Sequence, residues 1–150
     1  AAFAGNFKTA HRKGVDFLSG YCAVKPAPAD IVITTNGGYP LDQNAYQCPK
    51  GMSAAEATVN DGGVIIMLAT CQDGHGGESY YHSIADAESA DAFFQQCLHT
   101  PQVETLPDQW CAQIWCRIVR KYKVLFVADK AQEQLIRDLK VEYFETLDEA

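Results

Sequence analysis

Basic charge is scarce in this 150-residue chain: 12 Lys and Arg stand against 19 Asp and Glu, a formal net charge of -7 at pH 7. That balance argues against a nucleic-acid backbone or an anionic membrane surface as partner. No apolar run approaches the roughly 20 residues of a membrane span. The opening Ala-Ala-Phe-Ala-Gly has neither the basic segment nor the apolar stretch of a secretory leader. No glycine cluster follows G-x-G-x-x-G or carries the Lys-Ser/Thr pair of a P-loop, so a nucleotide fingerprint is absent. No two cysteines have C-x-x-C spacing, which weakens zinc-knuckle and thioredoxin readings. Nothing in the order of Ser, His and Asp points to a hydrolytic triad.

What remains is a chain rich enough in apolar residues, at 47%, to build one core of ordinary domain size. The six cysteines, Cys22, Cys48, Cys71, Cys97, Cys111 and Cys116, mostly sit inside apolar patterns, where a free thiol behaves as a small hydrophobe. A core of this size needs no staples, so a reducing, cytoplasmic setting is expected. There is no initiator Met, and the final Asp-Glu-Ala closes no element. Both ends read as cut, and a longer parent protein is expected.

Apolar residues at helical spacing over 7–22 predict a helix, with Phe7, Ala10, Val15 and Leu18 inward. Lys25-Pro-Ala-Pro-Ala29 is a stiff connector. Asp30–Thr35 reads as a buried strand, and a turn follows at Asn36–Pro40. A short helix is expected over Leu41–Gln47, with a kink or a new start around Cys48–Lys50 because of Pro49. Ser53 and Glu56 have capping-box spacing, and the helix they would open would stop at Asp61-Gly62-Gly63. Val64–Ala69 is apolar throughout, as in a strand buried on both faces.

A glycine-rich loop at 72–78 precedes a predicted helix near Ser83–Leu98, with Ile84, Ala87, Ala90, Phe94 and Leu98 on one stripe. A second helix, Asp108–Lys121, carries Ile114, Ile118 and Val119 inward. Val124–Ala128 and Val141–Phe144 are strands that flank a short helix at Glu133–Leu139. Alternating strands and helices predict one α/β domain: a mainly parallel sheet of about four strands with helices on both faces.

Residues 36–50 are the leading candidate site. In an open α/β sheet, ligands bind in the loops that leave the carboxyl ends of strands. Asp42, Gln43, Asn44, Tyr46, Gln47 and Lys50 crowd into such a loop, more polar groups than core building requires. Lys50 offers a compact positive charge for a carboxylate or phosphate. Gln47 both donates and accepts, and Tyr46 sets a hydroxyl on an apolar ring. The loop at 72–78 has three glycines able to expose backbone N–H groups, and His75 among them is an additional candidate. Trp110, near the start of its helix, either lines a pocket or caps the core, and Trp115 reads as core or interface. Asp73, His75, Glu78 and His82 match no compact metal-site spacing, so no metal site is expected. From these residues alone, a small-anion-binding module and a structural or oligomerising domain both stay open.

The run Asn36-Gly-Gly-Tyr-Pro-Leu-Asp-Gln-Asn-Ala-Tyr-Gln47 followed by Lys50-Gly-Met-Ser-Ala-Ala-Glu-Ala57 resembles the carboxyl-terminal domain of the nickel-dependent lactate racemase family. So do Gly62–Met67, Asp73-Gly-His-Gly-Gly-Glu78 and Pro107-Asp-Gln-Trp110. The motifs fall in order over nearly the whole chain. The resemblance implies an enzyme that interconverts stereoisomers of 2-hydroxy acids by hydride transfer to and from a nickel-pincer nucleotide. It implies a second, amino-terminal domain that carries the cofactor, the nickel-binding histidine and the catalytic histidines, none of whose motifs is present here. By motif, Gln47 and Lys50, with Tyr46 beside them, resemble the family's polar contacts to substrate and cofactor. Trp110 resembles the aromatic residue that closes over the substrate. The implied partners are a small 2-hydroxy acid and the amino-terminal domain. No catalytic residue is expected in this chain, Asp42 is an additional candidate contact, and the piece alone is expected to be inert.

Overall fold

The computed structural model describes all of residues 1–150. Four strands, β1 (Ala29–Thr35), β2 (Val59–Leu68), β3 (Lys123–Val127) and β4 (Glu142–Phe144), form one sheet in the order β1-β2-β3-β4. Every adjacent pair is parallel. Six helices accompany them: α1 (Phe7–Cys22), α2 (Cys48–Glu56), α3 (Glu78–Ala85), α4 (Ala90–His99), α5 (Gln109–Val119) and α6 (Glu133–Asp138). The α/β class and the four-strand parallel sheet are as expected from the alternation of patterns.

The helices are less evenly distributed than that alternation suggested. Each strand pairs with its successor, and right-handed crossovers that always step the same way place every connecting helix on the same face. The core follows suit. Ile65, Met67, Val124 and Phe126 point into one cluster with Met52, Tyr80, Ile84, Trp115, Ile118 and Ile136. On the opposite face, Ile66 and Leu125 are buried outside that cluster, and on β1 Ile31 and Ile33 are 60% and 55% exposed.

Local differences have local causes. α1 forms where predicted, with Asn6 Oδ1 accepting from the N–H of Lys8 at 3.1 Å. It buries no residue, however: Phe7, Val15 and Leu18 are exposed, because periodicity marks an apolar stripe without supplying its partner. Pro49 does not break α2. It occupies the first turn, where its missing N–H deprives the helix of nothing. The new start expected near Cys48 is therefore the start of α2. A capping box at Ser53 is absent, since Ser53 already lies inside α2 and Glu56 Oε2 instead accepts from Arg117 of α5 at 2.6 Å.

Asp61-Gly62-Gly63 ends no helix. It lies within β2, where the register against β1 shifts between Ala29 and Ile31. The helix expected over Ser83–Leu98 is two helices, α3 and α4. Ser89 Oγ accepts from Ala92 N at 3.1 Å and opens the second. That break rotates the stripe, so Phe93 is buried and Leu98 is 58% exposed.

Trp115 is fully buried, and its indole N–H donates to the carbonyl of Leu139 at 2.8 Å. Trp115→Phe leaves that carbonyl unpaired in the core. The substitution is expected to lower unfolding stability by about 2 kcal/mol, read as a shift of the urea midpoint at constant slope. A midpoint shift under a quarter of that size would show that the indole N–H contributes little.

Candidate functional site

Lys50 is brought to the carboxyl end of β1 by contacts between the strand end and the first turn of α2. Thr34 Oγ1 donates to the carbonyl of Gly51 at 3.0 Å, and Gly51 N donates to Asn36 Oδ1 at 3.0 Å. A Cβ on residue 51 would sit 2.7 Å from Asn36 Oδ1 and 3.0 Å from the carbonyl of Thr35, so this close approach requires glycine. Asn36 also donates from Nδ2 to the carbonyl of Leu41 at 3.1 Å. Sequence reading treated Asn36 as a turn residue. Its position directly after a strand, ahead of a glycine pair, was the available signal for this tethering role.

The two loops chosen from the sequence are stitched together by their backbones. Cys71 N donates to the carbonyl of Asp42 at 3.0 Å and Asp73 N to that of Gln43 at 2.7 Å. In return, Ala45 N donates to the carbonyl of Gly74 and Tyr46 N to that of His75, each at 3.0 Å. The glycine-rich loop thus holds the polar loop in place. The segment expected as a helix over Leu41–Gln47 is a turn followed by one 3-10 turn, Ala45–Gln47, because its N–H groups pair across to 72–78 rather than along the chain.

Of the candidate residues, Tyr46, Gln47, Lys50 and Trp110 converge. Lys50 Nζ donates to Gln47 Oε1. The two residues share a cavity of about 290 Å³ with Asn36, Leu41 and Gly51. On its other side Lys50 borders a second cavity of about 240 Å³, walled by Tyr46, Pro49, Trp110, Cys111 and Ile114. The rings of Tyr46 and Trp110 meet edge to face with centroids 6.2 Å apart, and Trp110 is 57% exposed. A flexible cation thus stands between a polar recess and an aromatic one.

Asp42 and His75 line neither cavity. Asp42 is buried, and its Oδ2 accepts from Thr70 N at 3.2 Å while Oδ1 finds no partner. His75 stacks on Tyr81 with centroids 5.0 Å apart, and its Nδ1 accepts from Gly77 N at 3.1 Å. No group of three or more His, Cys, Asp and Glu side chains is placed to hold a metal ion.

Asp108 is a residue the sequence reading passed over. Its Oδ1 accepts from the hydroxyl of Tyr46 at 3.0 Å across 62 positions of sequence. Partial burial, then this hydrogen bond, pushes the Tyr46 hydroxyl up to about 12. The phenol therefore keeps its proton at neutral pH. Burial likewise pushes the Cys111 thiol up to about 12, with the Asp108 charge adding to it, so the thiol beside the aromatic recess is neutral. All six cysteines are free.

A family model described as the lactate racemase C-terminal domain matches residues 24–150. A lactate racemase from Lactiplantibacillus plantarum is 50% identical over 149 residues, covering 99% of this chain and 35% of that protein. A second lactate racemase, from Thermoanaerobacterium thermosaccharolyticum, is 49% identical over 138 residues, covering 92% of this chain and 32% of its own length. The structure of the lactate racemase apoprotein from Thermoanaerobacterium thermosaccharolyticum superposes with a TM-score of 0.89 at 46% identity, over 97% of this chain and 35% of that one. The chain spans about a third of the length of these relatives. It belongs to the lactate racemase family, in the part its model describes as the C-terminal domain.

Proposed function

We propose that this domain contributes the substrate-contacting wall of a two-domain 2-hydroxy acid racemase, with lactate as the first candidate substrate. The observation that carries the reading is the placement of Lys50 between a polar and an aromatic recess, in a chain half identical to a lactate racemase. The Lys50 ammonium binds the substrate carboxylate. Gln47, bonded to Lys50, steers that ammonium and offers its amide N–H to the carboxylate or hydroxyl. Trp110 and Tyr46 cover the substrate and exclude water, which strengthens each charge interaction behind them.

The resemblance implies a nickel-pincer nucleotide carried by the amino-terminal part. The residues here suit such a group: the Lys50 ammonium would answer its negative charge, and the exposed Trp110 indole would give its flat ring a stacking surface. When bound, the group supplies the acceptor for the hydride that leaves the substrate carbon. This domain's share is binding, orientation and exclusion of water, so the piece alone is inert. The reading predicts that the full-length protein loaded with nickel-pincer nucleotide interconverts L- and D-lactate, followed by chiral chromatography. Absence of turnover on lactate and on a panel of other 2-hydroxy acids, with the nucleotide shown to be bound, would overturn it.

A further inference from the structure

We infer that Asp108 is a positioning residue for this site: it fixes the aromatic wall and makes the Tyr46 oxygen a hydrogen-bond acceptor for the substrate's hydroxyl. The inference rests on the functional reading above. Asp108 stands immediately before α5, at φ +60 and ψ 2, in the left-handed region that Asp and Asn visit more readily than most side chains. Its carbonyl accepts from Cys111 N at 2.9 Å, so the helix that carries Trp110 is anchored on this residue. Its carboxylate Oδ1 accepts a hydrogen bond from the Tyr46 hydroxyl at 3.0 Å. One residue thus joins the two halves of the aromatic recess, which come from distant parts of the chain.

The chemical consequence concerns the direction of hydrogen bonding. A phenol has one proton and two lone pairs. With its proton committed to Asp108, Tyr46 has only acceptor capacity left for anything in the cavity it lines with Lys50 and Trp110. A 2-hydroxy acid can donate to that oxygen, whereas a 2-oxo acid of the same carbon skeleton cannot. Asp108 therefore biases the wall toward the alcohol form of the substrate. Substitutions that keep an acceptor at the same place, above all Asp108→Asn, preserve the arrangement.

The test is a double-mutant cycle on the full-length holoenzyme: Asp108→Ala, Asp108→Asn, Tyr46→Phe and the Asp108→Ala/Tyr46→Phe pair. Asp108→Ala is expected to raise KM for lactate on the order of tenfold, with a smaller change in kcat. Asp108→Asn is expected to remain within about threefold of wild type, and adding Asp108→Ala to Tyr46→Phe should change little, since the two act through one bond. Inhibition by pyruvate should tighten relative to lactate binding in Tyr46→Phe and Asp108→Ala alike. Additive losses in the double variant, or a KM for Asp108→Ala equal to wild type, would overturn the inference. If the wild-type protein racemises no 2-hydroxy acid, the functional reading fails separately. The cycle is then read by quenching of tryptophan fluorescence with lactate, where coupling supports the positioning role, and additivity or the absence of any quenching overturns it.

Discussion

Lys50→Ala in the full-length enzyme is expected to lower kcat/KM for lactate by on the order of 10²–10³-fold. Lys50 is the cation common to both cavities, and its exposed side chain makes no bond within the domain other than that to Gln47. Removing it leaves the substrate carboxylate facing an apolar wall and a neutral amide. Fold stability should barely change, because the ammonium packs against nothing in the core. Lys50→Arg keeps the charge but replaces a point donor by a planar fork, so recovery should be partial. The readout is the initial rate of racemisation, with circular dichroism as the check on folding. Turnover within threefold of wild type in Lys50→Ala would remove Lys50 from the site.

Gly76→Ala is expected to destabilise the domain by about 4 kcal/mol, the sum of a left-handed penalty and an overpacking one. Gly76 has φ +77, and a Cβ there would lie 2.4 Å from Cγ of Asn44. Asn44 immediately precedes Ala45 and Tyr46, whose N–H groups pair with Gly74 and His75. It cannot yield without opening that stitching. Gly74→Ala is the control. It too has a positive φ, +71, but its Cβ would meet nothing within 4 Å, so only the conformational penalty of about 1–2 kcal/mol applies. Equal losses for the two variants in urea unfolding would show that the approach of the two loops is not what matters at Gly76.

How much of this was legible in the sequence depends on how far each determinant reaches. The strands at 64–69 and 124–128 announce themselves because a buried parallel strand is a short, continuous apolar run, whereas 30–35 forms a strand but buries none of its residues, against the buried strand expected there. The placement of Lys50 after such a strand, among clustered polar residues, carried the candidate site without any contact being known. Pro49 signalled the start of α2 correctly because its constraint is local. Where partners are distant, the pattern fell short. The stripe on α1 names no surface to cover it, and the Ser53–Glu56 spacing gave no sign that Glu56 would be taken by Arg117. Asp108 offered only its proximity to Trp110, since its bond to Tyr46 exists only after the chain has folded.

The strand order has a consequence for how this domain comes into being. Because each strand joins its immediate successor, the sheet can grow in the direction of synthesis, with β2 docking on β1 before β3 leaves the ribosome. The two stitched loops can close in that same interval, since residues 41–46 follow β1, residues 71–75 follow β2, and both precede β3. The hydroxyl of Tyr46, by contrast, waits for Asp108, and the aromatic recess waits for Trp110. A nascent chain would therefore carry Lys50 well before α5 supplied the rest of the wall that shields it.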